Sequence, residues 1–333
     1  MSPNETIGVR AWKARQSGFS LLEMLLALAI LMAVTGIVMS AMMQMTMTQG
    51  AVANRTEMHS SIRSATELLQ QEIGQAGKIS LPNPATPVTL SAAVPTPAAP
   101  PVATSVAVSN AAGMFNKEQL VIDTGDNEET VTATTVDAVA NTITGVFTLA
   151  HANGAPVRVA GTFASGIVPK SAANGSGDFV LKLYGDINDD GKMEYIEYTC
   201  DSATGPPAGG GNLYRQVLYY DALPAAKINP PTASMVVLSN ILPNPPDSGS
   251  TTPAPCFKYQ EKSVGTDTYV VDVSVTLTAQ TQNADPQTNQ FQTETKALLN
   301  VSPRNVFEGW QLASASVTNR IQPMPPTVTN LLP

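Results

Sequence analysis

Apolar residues form one long, nearly unbroken segment close to the amino terminus of this chain. Between residues 19 and 43, a stretch of 25 residues, the sole ionisable side chain is Glu23. A helix of that length is roughly 37 Å long at about 1.5 Å per residue. Because about 20 apolar residues suffice to cross a bilayer, the pattern predicts a membrane-spanning helix over residues 19–43.

The helix is predicted to continue beyond the membrane with a different pattern. Gly74 and Gly77 weaken the end of this continuation, and Pro82 restricts it further. We therefore predict one long helix over residues 19–79, apolar all round at first and then amphipathic. Apolar residues at intervals of three and four define the face of the amphipathic part: Met58, Ile62, Ala65, Leu69, Ile73 and Ala76.

The remainder of the chain has the pattern of a β protein. Residues 80–116 are rich in Pro, Ala and Thr and predict a loop or linker, and residues 322–333 predict a loose Pro-rich tail. Residues 117–321 predict a β-rich head, so the fold class is α+β, a long helix packed on a mainly antiparallel β head. Candidate strands, separated by Asn and Gly turns, are 119–123, 129–136, 141–149, 156–160, 179–184, 194–199, 213–220, 235–238, 269–278 and 294–301.

The distribution of charge predicts the orientation of the chain in the membrane and argues against one class of partner. Arg10, Lys13 and Arg15 precede the apolar segment, and basic flanks stay in the cytoplasm, so the residues after 43 are predicted to lie outside it. The net charge of −8 does not suggest a general nucleic-acid-binding surface. A disulfide is permitted outside the cytoplasm, and we expect one between Cys200 and Cys256; two buried free thiols are the alternative.

Glu23 separates three interpretations of the apolar segment. A secretory signal peptide has a shorter apolar region, of about 7–15 residues, followed by a cleavage site of small residues. An ordinary signal anchor fits the hydropathy but gives no reason for a carboxylate. A charge in the hydrocarbon region costs several kcal/mol by the lower estimates and marks a function. The third interpretation depends on the residues around Glu23.

The run Gly18-Phe19-Ser20-Leu21-Leu22-Glu23 resembles the class III signal of type IV prepilins and type II secretion pseudopilins. The resemblance implies that residues 1–18 are a leader, which a prepilin peptidase removes between Gly18 and Phe19 before it methylates the new amino terminus. It also implies that Glu23 pairs with the amino terminus of a neighbouring subunit, which makes this residue an assembly residue. The protein would be single-pass in the inner membrane, with a cytoplasmic amino terminus before processing, and would later enter a fibre.

Three shorter segments resemble PilW-like minor pilins: residues 68–77, 212–216 and 301–305. They imply a minor subunit of a type IV pilus that contacts other pilins and an inner-membrane assembly platform. Three alternatives stay open. These alternatives are a minor, GspJ-like pseudopilin of type II secretion, an adhesive tip subunit ordered by calcium, and a membrane-anchored β protein with no role in a fibre.

One acidic segment has the spacing of a calcium loop. Residues 186–197 match D-x-[DN]-x-[DN]-G-x5-E, in which alternating side-chain oxygens converge on one point and a final glutamate binds through both oxygens. The flanking segments predict strands rather than helices, and a polar hairpin turn without metal is the alternative. The candidate ligands of calcium are Asp186, Asn188, Asp190, the Lys192 carbonyl, Glu194 through water, and Glu197.

The sequence contains no motif for catalysis. His59 and His151 lack metal-binding spacing, and we expect His59 to be exposed on the helix and His151 to lie in a turn. We expect Trp310 to pack against the head. No nucleophile motif, phosphate-binding glycine loop or zinc-protease motif is present. The sequence therefore predicts a structural subunit and no enzyme.

Overall fold

A computed structural model describes residues 18–81, 86–202 and 210–333 of the chain, and the candidate leader up to residue 17 lies outside this range. The first element is the helix α1, Leu21–Gln75, which has 55 residues. It is roughly 82 Å long at about 1.5 Å per residue. The predicted long helix over residues 19–79 is therefore present, with ends that lie two to four residues inside the predicted bounds.

The amphipathic part of α1 packs as its periodicity predicts. All six apolar residues of the predicted face, from Met58 to Ala76, are buried. The helix ends at Gln75, and Gly77 just beyond it has a φ of +84° that favours glycine. The Gly77 N–H donates to the Tyr184 carbonyl, and its own carbonyl accepts from the Phe163 N–H, both at 2.9 Å. A methyl group at Gly77 would lie 2.8 Å from Val306 Cγ2, so the turn is also sterically tight.

A first β unit follows α1, and it corrects the expectation of a loop or linker over residues 80–116. Alternating Val and Leu residues of this stretch, such as Leu90, Val94, Val106 and Val108, are buried in one apolar cluster with Leu120. Two small sheets enclose this cluster, with strand orders β1-β7-β3-β4 and β2-β6-β5. Their strands are β1 Val88–Thr89, β2 Ala103–Ala107, β3 Gln119–Ile122, β4 Glu129–Thr132, β5 Thr135–Asp137, β6 Thr142–Val146 and β7 Pro156–Val159.

The second β unit is a seven-stranded antiparallel sheet that packs on α1. Its strand order is β15-β16-β12-β11-β10-β9, and β17 also pairs with β16. Short strands β8 Thr162–Phe163, β13 Asn244–Pro246 and β14 Pro253–Ala254 flank this sheet. Its members are β9 Val180–Gly185, β10 Glu194–Cys200, β11 Gly211–Tyr219, β12 Val236–Leu242, β15 Phe257–Val264, β16 Asp267–Gln280 and β17 Thr293–Val301.

The core between this sheet and α1 is apolar and continuous. Met58, Ile62, Leu69 and Ile73 of α1 share one cluster with buried side chains of β9 to β12 and β16. In β16, Val273, Val275, Leu277 and Ala279 are buried in this core, while Ser274 and Thr276 between them are more exposed, as the alternation predicts. The α+β fold with a long amino-terminal helix and a mainly antiparallel head is therefore confirmed.

The carboxyl-terminal residues pack on the head, which corrects the expectation of a loose tail over residues 322–333. After α2 Arg304–Ser314 comes β18 Ile321–Gln322, which pairs with β8 in parallel. The chain then forms α3 Pro326–Leu331. Val328, Leu331 and Leu332 are buried among aromatic residues such as Tyr184 and Tyr195. Burial of its apolar side chains packs this segment on the head even though it is rich in proline.

Seven strands escaped prediction: the short strands β1, β8, β13, β14 and β18, and the longer strands β2 and β15. β2 consists of small and polar residues (Ala-Thr-Ser-Val-Ala), and β15 carries Lys258, Glu261 and Lys262 along an exposed edge of the large sheet. Charged residues are common on edge strands because they discourage pairing with other chains. Short 3-10 turns occur at Gly125–Asn127, Pro224–Ala226 and Ala233–Met235.

Candidate assembly site

The motif residues lie at the start of α1, where Ser20 and Glu23 cap each other. The Leu22 N–H donates to Ser20 Oγ at 3.3 Å, and the Ser20 N–H donates to Glu23 Oε2 at 3.0 Å. This arrangement is a capping box, which satisfies backbone donors that a helix leaves free at its first turn. The Glu23 carboxylate therefore has a hydrogen-bond donor within its own chain.

The surface that surrounds this cap is apolar and exposed. Phe19 is 85% exposed, and Leu21 and Leu22 are 79% and 75% exposed. By length and composition α1 can cross a membrane, with a mean hydropathy of 2.5 over its most apolar 18-residue window, none of which is buried in the fold. An exposed apolar surface of this size needs lipid or other subunits to cover it.

At the opposite end of α1, the buried Glu72 joins the helix to the large sheet. Glu72 Oε2 accepts a hydrogen bond from the Tyr198 hydroxyl at 2.5 Å and one from Arg215 Nε at 3.2 Å, and Arg215 Nη2 donates to Oε1. Burial alone would lower the pKa of Arg215, but hydrogen bonding and the charge of Glu72 raise it above its usual value. Burial and the Glu72 charge raise the pKa of Tyr198 as well. The network is thus a charged Arg–Glu pair with a neutral tyrosine.

The three segments that resemble minor pilins meet at this end of the helix. Residues 68–77 supply Glu72 and residues 212–216 supply Arg215, which form the ion pair. Residues 301–305 supply Asn305, whose Nδ2 donates to the carbonyls of Gln75 at 3.0 Å and Ala76 at 3.4 Å. Asn305 therefore caps carbonyl groups that the end of a helix leaves unpaired.

The hairpin of β16 and β17 follows α1 back towards the apolar segment. His59 Nδ1 contacts Glu294 at the start of β17, and Arg55 Nε donates to His59 Nε2 at 3.2 Å. Nearer the apolar segment, Gln287 Nε2 donates to Thr48 Oγ1 at 3.0 Å. His59 is exposed as expected, but it also takes part in the contact between helix and head.

The candidate calcium ligands do not converge on one point. Asp186 is almost fully buried, and its carboxylate accepts from the N–H groups of Asp190 at 3.1 Å and Gly191 at 3.3 Å and from Ser80 Oγ at 2.8 Å. Lys78 Nζ lies 3.5 Å from Asp186 Oδ2 and also pairs with Asp189. The Asp186 carboxylate is therefore already paired with a cation of the protein and with two N–H groups of its own turn.

Glu197 lies apart from the other candidate ligands of calcium. Glu194 and Glu197 are three residues apart in β10 and so lie on opposite faces of the sheet. Glu197 Oε2 accepts from the Tyr195 hydroxyl at 2.6 Å and lies 2.7 Å from Lys227 Nζ. Asn188 Nδ2 donates to Glu194 at 3.4 Å, and the Lys192 N–H donates to Asp190 Oδ1 at 2.9 Å. Across the described ranges, no group of three or more His, Cys, Asp or Glu side chains could hold a metal ion.

Cys200 and Cys256, which are 56 positions apart in sequence, are joined by a disulfide in the structure. Cys200 ends β10 and Cys256 directly precedes β15, so the bond links two strands that are not neighbours in the sheet. Both residues are buried in the cluster that packs on α1. The bond thus closes the segment that contains β11 to β14.

His151 forms a buried cluster that sequence analysis did not find. Its Nδ1 lies 3.2 Å from Asp123 Oδ2 and its Nε2 lies 2.7 Å from Glu129 Oε1. The His151 hydrogen bond, followed by the Thr124 N–H, holds the pKa of Asp123 below its usual value. Burial opposes a similar change at Glu129, but hydrogen bonds from Thr148 and His151 lower its pKa overall. Asp123 and Glu129 lie 28 and 22 positions before His151, so no local spacing indicates the cluster.

The long amino-terminal helix, its capped first turn and the mainly antiparallel head form a pilin-like α+β fold. The family model described as the prokaryotic N-terminal methylation motif matches residues 13–41. This match covers the basic flank, the Gly18–Phe19 bond, Glu23 and most of the apolar segment. No curated protein and no solved structure matches the chain. A class III signal of this kind implies processing by a prepilin peptidase.

Proposed function

We propose that this chain is a minor subunit of a type IV pilus that a prepilin peptidase processes between Gly18 and Phe19. The observation that carries the proposal is the methylation motif in register with a 55-residue helix, whose first half is exposed and apolar. In the inner membrane, lipid covers this surface. In the fibre, the apolar helices of other pilins cover this surface. An assembly platform transfers the subunit from the membrane to the fibre. The role is mechanical and not enzymatic.

In this proposal Glu23 is the assembly residue. Cleavage leaves a positively charged amine on Phe19. The Glu23 carboxylate would accept a hydrogen bond from this amine in a neighbouring subunit. A buried carboxylate without a partner is costly, whereas a paired one fixes register. The convergence of the three minor-pilin-like segments on the end of α1 supports the PilW-like assignment, because all three contribute to one junction between helix and head.

Mass spectrometry of the protein purified from membranes tests the processing step. We expect a mature chain that begins with methylated Phe19 and lacks residues 1–18. Gly18→Val should leave the leader attached, whereas Gly8→Val within the same leader should be processed normally. An intact leader on the natural sequence, or a cut far downstream of Phe19, would overturn the proposal.

A minor pseudopilin of type II secretion is the second candidate, because the matched motif is shared by both classes. The two differ in what fails when the gene is deleted. A pilus subunit should be found in sheared surface fibres, and its loss should reduce their number. A pseudopilin should leave surface fibres intact and block export of secreted proteins.

A further inference from the structure

The position of the head along α1 can be compared with the thickness of a bilayer. The 21 residues from Glu23 to Met43 span roughly 30 Å of helix, which equals the hydrocarbon core of a typical membrane. Five more residues reach Thr48 and add about 7 Å. The headgroup layer occupies about 5–7 Å on each side of the core. Thr48 therefore lies in the outer headgroup layer when α1 spans the membrane.

The loop between β16 and β17, residues 281–292, contacts α1 at this level. Gln287 Nε2 donates to Thr48 Oγ1 at 3.0 Å. A methyl group added at Gly50 would lie 3.4 Å from Pro286 Cγ, so the loop approaches the helix closely where the helix has no side chain. The loop is therefore the part of the head that contacts α1 nearest to its apolar segment.

The loop has a defined shape of its own. The Asp285 N–H donates to the Gln290 carbonyl at 2.9 Å, and the Asn289 N–H donates to the Asp285 carbonyl at 2.8 Å. The Asp285 side chain accepts from the Gln287 N–H at 2.8 Å and from Gln292 Nε2 at 3.0 Å. This organisation holds Phe291, which is 39% exposed, at the base of the loop.

Charged side chains are almost absent from the loop and from the part of α1 that it contacts. Residues 44–54 of α1 contain no ionisable side chain, and residues 281–292 contain only Asp285. The loop is rich in amides and hydroxyls, which donate hydrogen bonds to phosphate and ester oxygens of lipids without a net charge. Aromatic side chains such as Phe291 suit the boundary between hydrocarbon and headgroups, although Trp and Tyr are the more common choices.

We infer that the 281–292 loop is a lipid-binding surface, which rests on the headgroup layer of the outer leaflet while the subunit waits in the membrane. The inference rests on the membrane-anchored state of the proposed function. The partner is the zwitterionic headgroup layer, and binding does not depend on anionic lipids, because the surface offers no cation. The contact sets the height of the head above the bilayer.

Fluorescence quenching on the full-length protein tests this contact. The protein is placed one copy per phosphatidylcholine nanodisc, and a polarity-sensitive dye is attached to a single new thiol. The two natural cysteines are disulfide-bonded and do not react. The dye positions are Thr288→Cys in the loop, Leu31→Cys in the apolar helix and Val139→Cys, which is 96% exposed in the first β unit.

We expect lipids with a spin label on the headgroup to remove most of the emission at position 288. Lipids with a deep acyl-chain label should quench position 31, and position 139 should respond only to aqueous iodide. Replacement of a third of the lipid by phosphatidylglycerol, or addition of salt, should leave quenching at position 288 unchanged. Phe291→Ser should reduce that quenching several-fold, and the matched Phe179→Ser, at a residue 41% exposed, should not.

The outcomes separate this inference from the proposed function. Quenching at position 31 combined with solvent-like behaviour at position 288 overturns the lipid contact and leaves the membrane anchor intact. Quenching at position 288 that requires anionic lipid or disappears with salt overturns the zwitterionic assignment. If lipid labels do not quench the dye at position 31, both the membrane anchor and the lipid contact of the loop are overturned.

Discussion

Glu72 of α1 and Arg215 of β11 form a largely buried ion pair, although 143 residues separate them in sequence. The Tyr198 hydroxyl donates to the same carboxylate, so the charge on Glu72 has partners from two adjacent strands. Removal of one member of such a pair leaves the other charge buried without compensation. The pair therefore ties the orientation of the head to that of the helix.

Glu72→Ala should lower the free energy of unfolding by about 3–5 kcal/mol, the usual range when one member of a buried pair is removed. Thermal unfolding of the full-length protein in detergent, followed by circular dichroism, measures this. Glu67→Ala is the matched control, because Glu67 forms an exposed pair with Arg63 on the same helix, and it should leave Tm unchanged. The double variant Glu72→Ala/Arg215→Leu should recover part of the loss. Equal effects of the two single glutamate variants would contradict the role of the pair.

Acid should weaken the His151 cluster. Both ring nitrogens of His151 face carboxylate oxygens, and only the imidazolium form donates through both. The pKa values of Asp123 and Glu129 are lowered in the fold, so their contribution to stability is present above the usual values of 3.8 and 4.5 and is lost as pH falls through the lowered values. His151→Gln should therefore lower Tm most where both carboxylates are ionised. The difference from the natural sequence should shrink from about pH 5 to about pH 3, and a constant difference would count against it.

Loss of the disulfide should destabilise the large sheet. Cys200→Ala/Cys256→Ala opens a loop whose ends are 56 positions apart and should cost about 2–4 kcal/mol. Urea unfolding of the full-length protein with and without reductant provides the measurement. Reductant should shift the midpoint of the natural sequence towards that of the variant and leave the variant unchanged. Identical midpoints for all four samples would show that the bond does not stabilise the fold.

The packed carboxyl terminus should contribute to stability. Leu331 is 1% exposed among the aromatic residues of its cluster, and Leu331→Ala should cost about 2–5 kcal/mol because it leaves a cavity. Val317→Ala, at a residue 36% exposed, removes apolar carbon from a more open site and should cost much less. Thermal unfolding of the two variants is the comparison, and similar Tm values would contradict the packing of α3.

Glu23→Ala should leave processing largely intact and impair entry into fibres. The substitution removes the carboxylate but leaves the Gly18–Phe19 bond and the apolar segment unchanged. Mass spectrometry of the membrane fraction reports processing, and the amount of the subunit in sheared fibres reports assembly. Glu57→Ala, at an exposed glutamate on the same helix, is the control. Normal assembly of Glu23→Ala would remove the role assigned to this carboxylate.

Local periodicity predicted the helix well because each buried residue of its face is three or four positions from the next. Met58, Ile62 and Leu69 are buried as the spacing requires. Composition was less reliable, since the prolines of residues 86–116 and 326–333 obscured Val and Leu residues that tertiary packing buries. Frequent proline indicates irregular backbone but does not exclude a packed core.

The partners of charged side chains could not be predicted, because they depend on which strands lie side by side. Glu197 has the sequence spacing of a calcium ligand, but the alternation of β10 directs it towards Lys227. Lys78, which lies 108 positions before Asp186 in the chain, reaches that carboxylate because α1 ends beside the turn. The motif alone contains no information about either lysine.

The capping box at the start of α1 has a thermodynamic consequence for Glu23. Its carboxylate already accepts a hydrogen bond from the Ser20 N–H, so pairing with the amine of another subunit exchanges or shares an existing bond and does not relieve an empty acceptor. The free energy that Glu23 would contribute to pairing is the difference between a hydrogen bond from a charged amine and one from the neutral Ser20 N–H. In the proposed fibre, Glu23 would therefore contribute little to the driving force of assembly, and the apolar contacts along α1 would contribute most of it.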